Sequence, residues 1–113
     1  MYTLIVRESF EAAHQIPGHP GKCSALHGHS YRVEAEFAGQ ELNSLGMVRD
    51  FIELKAALRA VLPDHSYLNE VVEGPTTAEY LAQWLYHRLK GQGLPIVAVT
   101  VWETEDCGCR YTG

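Results

Sequence analysis

Two histidines separated by a single residue, His27 and His29, are the most specific chemical signal in the sequence. Side chains at positions i and i+2 of a β-strand point to the same side, so both imidazoles can reach one metal ion. Gly28 between them leaves the opposite side of the strand uncrowded. In a chain with 6 histidines, however, such a pair also arises by chance. It becomes informative when a third imidazole is expected nearby.

That third imidazole is His14, which ends a segment in which apolar and polar residues alternate from residue 2 onward. A second alternating segment runs from His27 to Phe37. Alternation with a period of two predicts β-strands with one buried face. Consecutive strands joined by a loop most often pair antiparallel, so the end of the first strand should lie beside the start of the second. All three histidines are therefore predicted at the same end of one sheet face.

Three imidazoles at the ends of apolar stripes are costly to bury unless each one has a partner. A zinc ion with three protein ligands keeps its fourth tetrahedral position open to water or substrate, which is typical of catalytic rather than structural sites. We therefore predict that His14, His27 and His29 bind Zn²⁺.

The role of Cys23 is open from its spacing alone. It lies four residues before His27, in a loop rich in proline and glycine that joins the two strands. As a fourth zinc ligand it would close the site and make it structural. As a general base it would stand beside the metal without binding it. An inert loop thiol is the third possibility.

Two further places in the sequence carry acid–base or hydrogen-bonding groups. Asp64 and His65 follow a helix-stopping proline and can form an oriented pair, although adjacent side chains often diverge and a turn with a solvated histidine is the simpler interpretation. Glu103 ends an apolar strand face, where a carboxylate can accept two hydrogen bonds from a planar group such as a pterin or guanine edge. Glu105 has the same parity and competes with it.

Other reactive groups give weaker signals. Cys107 and Cys109 are separated by one residue and have no further partner in the sequence, so they predict at most a flexible thiol pair. Lys22 and Arg49 are candidate cations for an anionic substrate, although a solvated surface position explains both equally well.

The composition limits the class of protein. A length of 113 residues predicts one domain, residues 1–113, and an apolar fraction of 46% predicts a globular core. The net charge of -5 and the lack of any Lys/Arg run argue against nucleic-acid binding. No apolar stretch approaches the ~20 residues that span a bilayer. Three cysteines without a signal peptide predict a reduced, cytoplasmic protein.

The elements that position these residues follow from periodicity and from helix-stopping residues. Helices are predicted from residue 50 to the proline at 63, and from residues 75–77 to the glycine at 91. Strands are predicted at residues 96–104 and around residues 110–112. The resulting order, ββααββ, predicts an α+β fold with a four-stranded antiparallel sheet and two helices on one face. Such a sheet has two free edges and one uncovered face, which favours assembly of several copies.

The sequence resembles the 6-pyruvoyl-tetrahydropterin synthase / 6-carboxytetrahydropterin synthase family along nearly its whole length. The shared motifs are, in order, residues 10–14 (FEAAH), 23–31 (CSALHGHSY), 50–51 (DF), 64–69 (DHSYLN), 75–79 (PTTAE) and 101–104 (VWET). Tyr80 departs from the asparagine that commonly follows the last Glu of the fifth motif.

The resemblance implies a fold, an assembly and a set of roles. The fold is the tunnelling fold, with subunits joined into a trimer or a dimer of trimers and active sites between subunits. His14, His27 and His29 match the zinc ligands, while Cys23 matches the catalytic base rather than a ligand. Asp64 and His65 match a proton-relay pair that a neighbouring subunit supplies. Glu103 and Thr77 match residues of the pterin site.

The short spacing between Cys23 and His27 resembles the bacterial 6-carboxytetrahydropterin synthases of queuosine biosynthesis. This branch implies conversion of 7,8-dihydroneopterin triphosphate to 6-carboxy-5,6,7,8-tetrahydropterin with release of triphosphate and acetaldehyde. The pyruvoyl-forming enzyme is the alternative within the family. A non-catalytic zinc-binding or pterin-binding module is the alternative from another class.

Overall fold

Five strands and three α-helices make up the computed structural model, which describes residues 1–113. The strands are β1 (Tyr2–His14), β2 (His27–Gly39), β3 (Ser66–Tyr67), β4 (Ile96–Trp102) and β5 (Gly108–Tyr111). The helices are α1 (Phe51–Val61), α2 (Leu68–Val71) and α3 (Ala78–Gly91). No helix is both long and apolar enough to cross a membrane.

The long hairpin of β1 and β2 is the framework of the sheet. The two strands pair antiparallel over their full lengths, with His14 opposite His27 and Ala12 opposite His29. The predicted alternation is confirmed, since Val6, Phe10, Ala12 and His14 are all buried on one face. Because a shift of one residue would turn this face outward, burial of the apolar set fixes the register that brings the histidines together.

The sheet differs from the predicted four-stranded antiparallel one. It has five strands in the order β3-β1-β2-β4-β5, and β3 pairs parallel with β1 through Ser66 opposite Ala12. The predicted order ββααββ was therefore wrong by one strand and by the helix α2, which has four residues. Elements this short contain only about one repeat of their pattern, so periodicity cannot reveal them.

The two long helices cover one face of the sheet. Asp50 caps α1 by accepting a hydrogen bond from the backbone N–H of Ile52, and Thr77 caps α3 in the same way through Tyr80. Helix α3 packs on β4 and β5, and α1 packs on β1. Leu54, Leu58 and Val61 form the buried stripe of α1, whereas Phe51 at its first position is 56% exposed.

The opposite face of the sheet is uncovered and carries charged pairs. The Arg7 guanidinium lies 2.9 Å from the Glu34 carboxylate, and Arg110 lies 2.8 Å from Glu36. The indole N–H of Trp102 donates a second hydrogen bond to Glu34, and together with Arg7 it lowers the pKa of that carboxyl group. This face is therefore polar and ordered, in contrast to the apolar face under the helices.

Candidate metal and ligand site

The three histidines meet at the end of the β1–β2 hairpin. One ring nitrogen from each of His14, His27 and His29 lies within 4.8 Å of the other two. The three rings stand edge to face, with centroids between 4.5 and 5.1 Å apart. His14 is fully buried and the other two are half-buried, so solvent reaches the cluster through His27 and His29.

The hydrogen bonds of His14 and His27 determine where their protons lie. His14 Nδ1 is 2.9 Å from the Thr76 carbonyl oxygen, and His27 Nδ1 is 2.7 Å from the Ala25 carbonyl oxygen. A carbonyl oxygen only accepts hydrogen bonds, so each Nδ1 carries a proton. In the neutral tautomer with this arrangement, both Nε2 atoms present lone pairs.

Those two lone pairs face each other. His14 Nε2 and His27 Nε2 are only 2.9 Å apart, a distance at which two bare acceptors repel unless a positive charge lies beside them. Burial lowers the pKa of His14, and the neighbouring imidazoles lower it further, so an added proton is disfavoured there. The donor set fits a metal ion, because orienting a histidine through Nδ1–H on a carbonyl is how proteins prepare Nε2 for a metal.

The third imidazole supplies a further unpaired nitrogen. His29 Nε2 is buried and has no hydrogen-bond partner. Its nearest charged neighbour is Glu103 Oε1, 3.4 Å away, in a geometry that does not make a hydrogen bond. Burial lowers the pKa of His29, although the Glu103 carboxylate opposes that shift. A buried neutral imidazole without a partner is the state that metal binding would satisfy.

Three groups that hold the cluster were not identified from the sequence. The Thr76 and Ala25 carbonyls orient two of the rings, and backbone groups leave no side-chain signal. Tyr31, which is fully buried and stacked on Phe10, places its hydroxyl 3.3 Å from His14 Nδ1. Its position two residues after His29 on the buried face of β2 was the available signal.

Cys23 lies in the loop that leads from His14 back to His27. It is half-buried, and its carbonyl accepts a hydrogen bond of 2.7 Å from the Ile16 N–H, which closes the loop. The cluster of ring nitrogens contains the three histidines and not the Cys23 thiol. The structure thus brings Cys23 into the same loop as the site without making it a member of the ligand set.

Asp64 and His65 form an oriented pair at the edge strand. The Asp64 carboxylate lies 3.0 Å from His65 Nδ1 and accepts a hydrogen bond of 2.9 Å from the Glu11 N–H. The Glu11 bond and the His65 contacts lower the pKa of Asp64. The His65 N–H donates to the Glu11 carbonyl, with His65 at a φ of 53°, a conformation that is uncommon outside glycine.

This pair lies outside the cluster of three imidazoles. The His65 side chain is 81% exposed and borders a shallow depression that is also lined by Glu11, His29 and Ser30. No hydrogen bond joins Asp64 or His65 to the three imidazoles of the same chain.

Glu103 lies in the tight turn between β4 and β5, because β4 ends at Trp102, two residues earlier than predicted. Its N–H donates to the Cys107 carbonyl, and the Thr104 hydroxyl accepts from the N–H groups of Asp106 and Cys107. Glu105, the competing carboxylate, lies in a depression on the uncovered face instead. The turn therefore separates the two acidic residues that shared one parity in the sequence.

A cavity of about 350 Å³ lies beside Glu103 and the start of α3. This volume is within the range of small-molecule sites. Its walls are formed by Ala78, Glu79, Glu103, Cys107, Gly108 and Cys109. Thr77 uses its hydroxyl to cap α3 next to this cavity. Cys107 and Cys109, which were predicted to form at most a flexible thiol pair, thus line this cavity.

Arg49, a candidate cation for an anionic substrate, lies 3.5 Å from the Glu53 carboxylate and pairs with it.

Comparison with known families supports one assignment for this arrangement. The family model described as 6-pyruvoyl tetrahydropterin synthase matches residues 3–113. A 6-carboxy-5,6,7,8-tetrahydropterin synthase from Synechocystis sp. is 41% identical, over 98% of this chain and 93% of the relative. The protein of the same name from Haemophilus influenzae is 32% identical, over 98% of this chain and 99% of the relative.

Solved structures agree with these sequence matches. The 6-pyruvoyl tetrahydropterin synthase of Caenorhabditis elegans superposes with a TM-score of 0.87 at 29% identity, covering 99% of this chain and 95% of that one. An uncharacterised protein from Wolinella succinogenes has a TM-score of 0.79 at 19% identity, covering 99% and 98% of the two chains, which is a likeness of fold alone.

Proposed function

The chain belongs to the 6-pyruvoyl tetrahydropterin synthase family, and on that premise we propose that it converts 7,8-dihydroneopterin triphosphate to 6-carboxy-5,6,7,8-tetrahydropterin, with release of triphosphate and acetaldehyde. The choice of the carboxy-forming branch is supported by the 41% identity to a 6-carboxytetrahydropterin synthase. The two facing Nε2 atoms of His14 and His27 are the structural observation that carries the proposal. Together with His29 they form a donor set that could hold a metal ion, which the proposed reaction uses.

The metal site consists of His14, His27 and His29, which offer three neutral ring nitrogens to Zn²⁺. When bound, the ion supplies Lewis-acid polarisation of the substrate's side-chain oxygens. The Thr76 and Ala25 carbonyls keep two of the rings in the correct tautomer and orientation. The protein therefore prepares the site before either metal or substrate arrives.

The pterin ring occupies the cavity beside Glu103. A carboxylate accepts two parallel hydrogen bonds from a planar amidine-like edge, which both orients the ring and excludes rings without that edge. Thr77 begins the helix that forms another wall, so it borders the same ring. The contact between Glu103 and His29 sets the pterin next to the metal site, with the substrate's side chain directed toward the three imidazoles.

Proton transfer falls to Cys23 and to the Asp64–His65 pair. Cys23 would act as the general base that removes a proton from the carbon beside the substrate's side-chain oxygen. Asp64 orients His65, which moves protons in the later steps, including cleavage of the carbon–carbon bond. Because the His65 side chain is 81% exposed and makes no hydrogen bond to the three imidazoles of its own chain, we propose that a neighbouring subunit supplies this pair to each active site.

That requirement implies an assembly, for which we propose a trimer or a dimer of trimers. Two features support it: the sheet has free edges at β3 and β5, and the face opposite the helices is uncovered. Both would be covered when sheets of several subunits join. We also propose that the product enters queuosine biosynthesis in the cytoplasm, the pathway that the carboxy-forming branch serves.

Product analysis tests the proposal. Zinc-loaded protein incubated with 7,8-dihydroneopterin triphosphate is expected to yield 6-carboxytetrahydropterin by mass spectrometry and acetaldehyde in a coupled dehydrogenase assay. A pyruvoyl product without acetaldehyde would assign the chain to the other branch of the family. Pterin binding without any turnover would instead support a non-catalytic binding module.

A further inference from the structure

The end of β1, where His14 lies, is held on the side away from β2 by a side chain. The strand β3 pairs with β1 only through Ala12 and Ala13. Beyond them, Asn69 Oδ1 accepts a hydrogen bond of 3.0 Å from the Gln15 N–H, and Asn69 Nδ2 donates one of 2.8 Å to the Gln15 carbonyl. A carboxamide has the same donor and acceptor as a peptide group, so Asn69 takes the place of one further pair of strand hydrogen bonds.

The Gln15 backbone is also linked to the partner of the His14 ring. The Thr76 hydroxyl donates a hydrogen bond of 3.5 Å to the Gln15 carbonyl, and the Thr76 carbonyl oxygen lies 2.9 Å from His14 Nδ1. Thr76 is buried, and both Gln15 and Asn69 are half-buried. The backbone position of His14 and the position of its ring partner therefore both depend on Gln15, which Asn69 holds across 54 positions of the sequence.

We propose that Asn69 is a positioning residue of the metal site, which acts on His14 through the Gln15 backbone. Without Asn69, the last residues of β1 would be paired with β2 alone, and His14 Nδ1 would lose its fixed distance from the Thr76 carbonyl. Groups that orient a metal-binding imidazole contribute to metal affinity even though they do not touch the metal. The effect on metal affinity rests on the proposed function, whereas the effect on the His14 ring does not.

Exchange of the His14 Nδ1 proton with water, followed by NMR of the metal-free protein, tests the orientation of the ring. In Asn69→Ala this proton should exchange about 10-fold faster than in the wild type, the size of change expected from the loss of one hydrogen bond. Ser66→Ala is the matched control, because it removes a hydrogen bond of 2.6 Å to the Pro63 carbonyl in the neighbouring segment and leaves Gln15 untouched. Unchanged exchange in Asn69→Ala, or equal acceleration in Ser66→Ala, would overturn the inference.

Zinc affinity, measured by competition with a chromophoric chelator, tests the consequence for metal binding. Asn69→Ala should weaken zinc binding by about 10-fold, the lower end of the range for outer partners of a metal ligand, and Ser66→Ala should bind zinc as the wild type does. Asn69→Ser keeps a neutral group that can bond one of the two Gln15 backbone groups. It should weaken zinc binding by about 3-fold and serves if Asn69→Ala does not fold.

The outcomes separate this inference from the proposed function. Wild-type zinc affinity in the folded Asn69 variants would overturn the positioning role. If the wild type itself binds no zinc, the proposed function fails, while the exchange of the His14 proton in the Asn69 variants still decides whether Asn69 positions the ring.

Discussion

The histidine cluster is largely buried, whereas the Asp64–His65 pair is exposed at the sheet edge. His14 is fully buried and His29 is 17% exposed, but His65 is 81% exposed. Carbonyl groups of the same chain orient His14 and His27, while His29 Nε2 has no hydrogen-bond partner. The Asp64–His65 pair is oriented by two hydrogen bonds with the Glu11 backbone, yet it is exposed to solvent.

The difference supports the proposed division of the active site between two subunits. A metal site needs ligands within a few ångströms, and a hairpin supplies them from neighbouring strands. The exposed Asp64–His65 pair is accessible to a neighbouring subunit, whose active site we propose that it serves. The predictions below test this division.

The largest effect, on zinc affinity, is expected from removing one of the three histidines of the buried cluster. His14→Ala should reduce zinc affinity by more than about 100-fold, beyond the range for outer partners, and abolish turnover. It also leaves Thr76 O and His27 Nε2 without their partner. Zinc content after dialysis, measured by elemental analysis, checks this. His87→Ala, on the exposed side of α3, is the control and should retain zinc.

The next prediction tests whether Cys23 acts as a general base or as a zinc ligand. Cys23→Ala should lower kcat by about 10²–10⁴, the contribution of a general base, while zinc content stays at the wild-type value. Loss of zinc together with activity would make Cys23 a fourth ligand and the site structural. Cys107→Ala, in the cavity wall, is a matched thiol control with unchanged zinc content.

A test of the division between subunits follows from the exposed half. His65→Ala should lower kcat by about 10²-fold, the lower end for an acid–base group, with zinc and the fold unchanged. Assemblies refolded from a mixture of Cys23→Ala and His65→Ala chains should regain activity, because some sites then combine an intact thiol with an intact histidine. Mixtures as inactive as either variant would show that each subunit works with its own His65.

The smallest expected effect is a pH dependence of the free energy of unfolding that arises from the buried histidines. The pKa values of His14 and His29 are lowered from 6.5 by burial, so the unfolded chain takes up protons first as pH falls. The metal-free protein should therefore lose unfolding free energy below about pH 6.5. The Asp64 carboxyl, whose pKa is lowered from 3.8, contributes stability that is lost only at more acid pH. Urea midpoints at pH 7.5, 6.5 and 5.5 check this, and a flat series would contradict it.

The prediction of the histidine cluster succeeded because it used the two properties that sequence patterns carry well. Alternation placed His14, His27 and His29 on one face, and the antiparallel pairing of neighbouring strands placed them at one end. The prediction for Glu103 depended instead on resemblance, since parity alone left it equal to Glu105. The tight turn after Trp102 separates the two carboxylates, with Glu103 near His29 and Glu105 in a different depression.

The sequence by itself determined the donor set, the hairpin and the family, because residue type, alternation and motif order are local properties of the chain. Only the tertiary structure decided which backbone groups are the hydrogen-bond partners of the site residues. The Thr76 carbonyl reaches His14 across 62 positions, and Asp64 reaches Glu11 across 53. Backbone partners at such separations are set by how α3 and β3 pack on the hairpin. That packing depends on the burial of all the core residues together, and no single sequence motif encodes it.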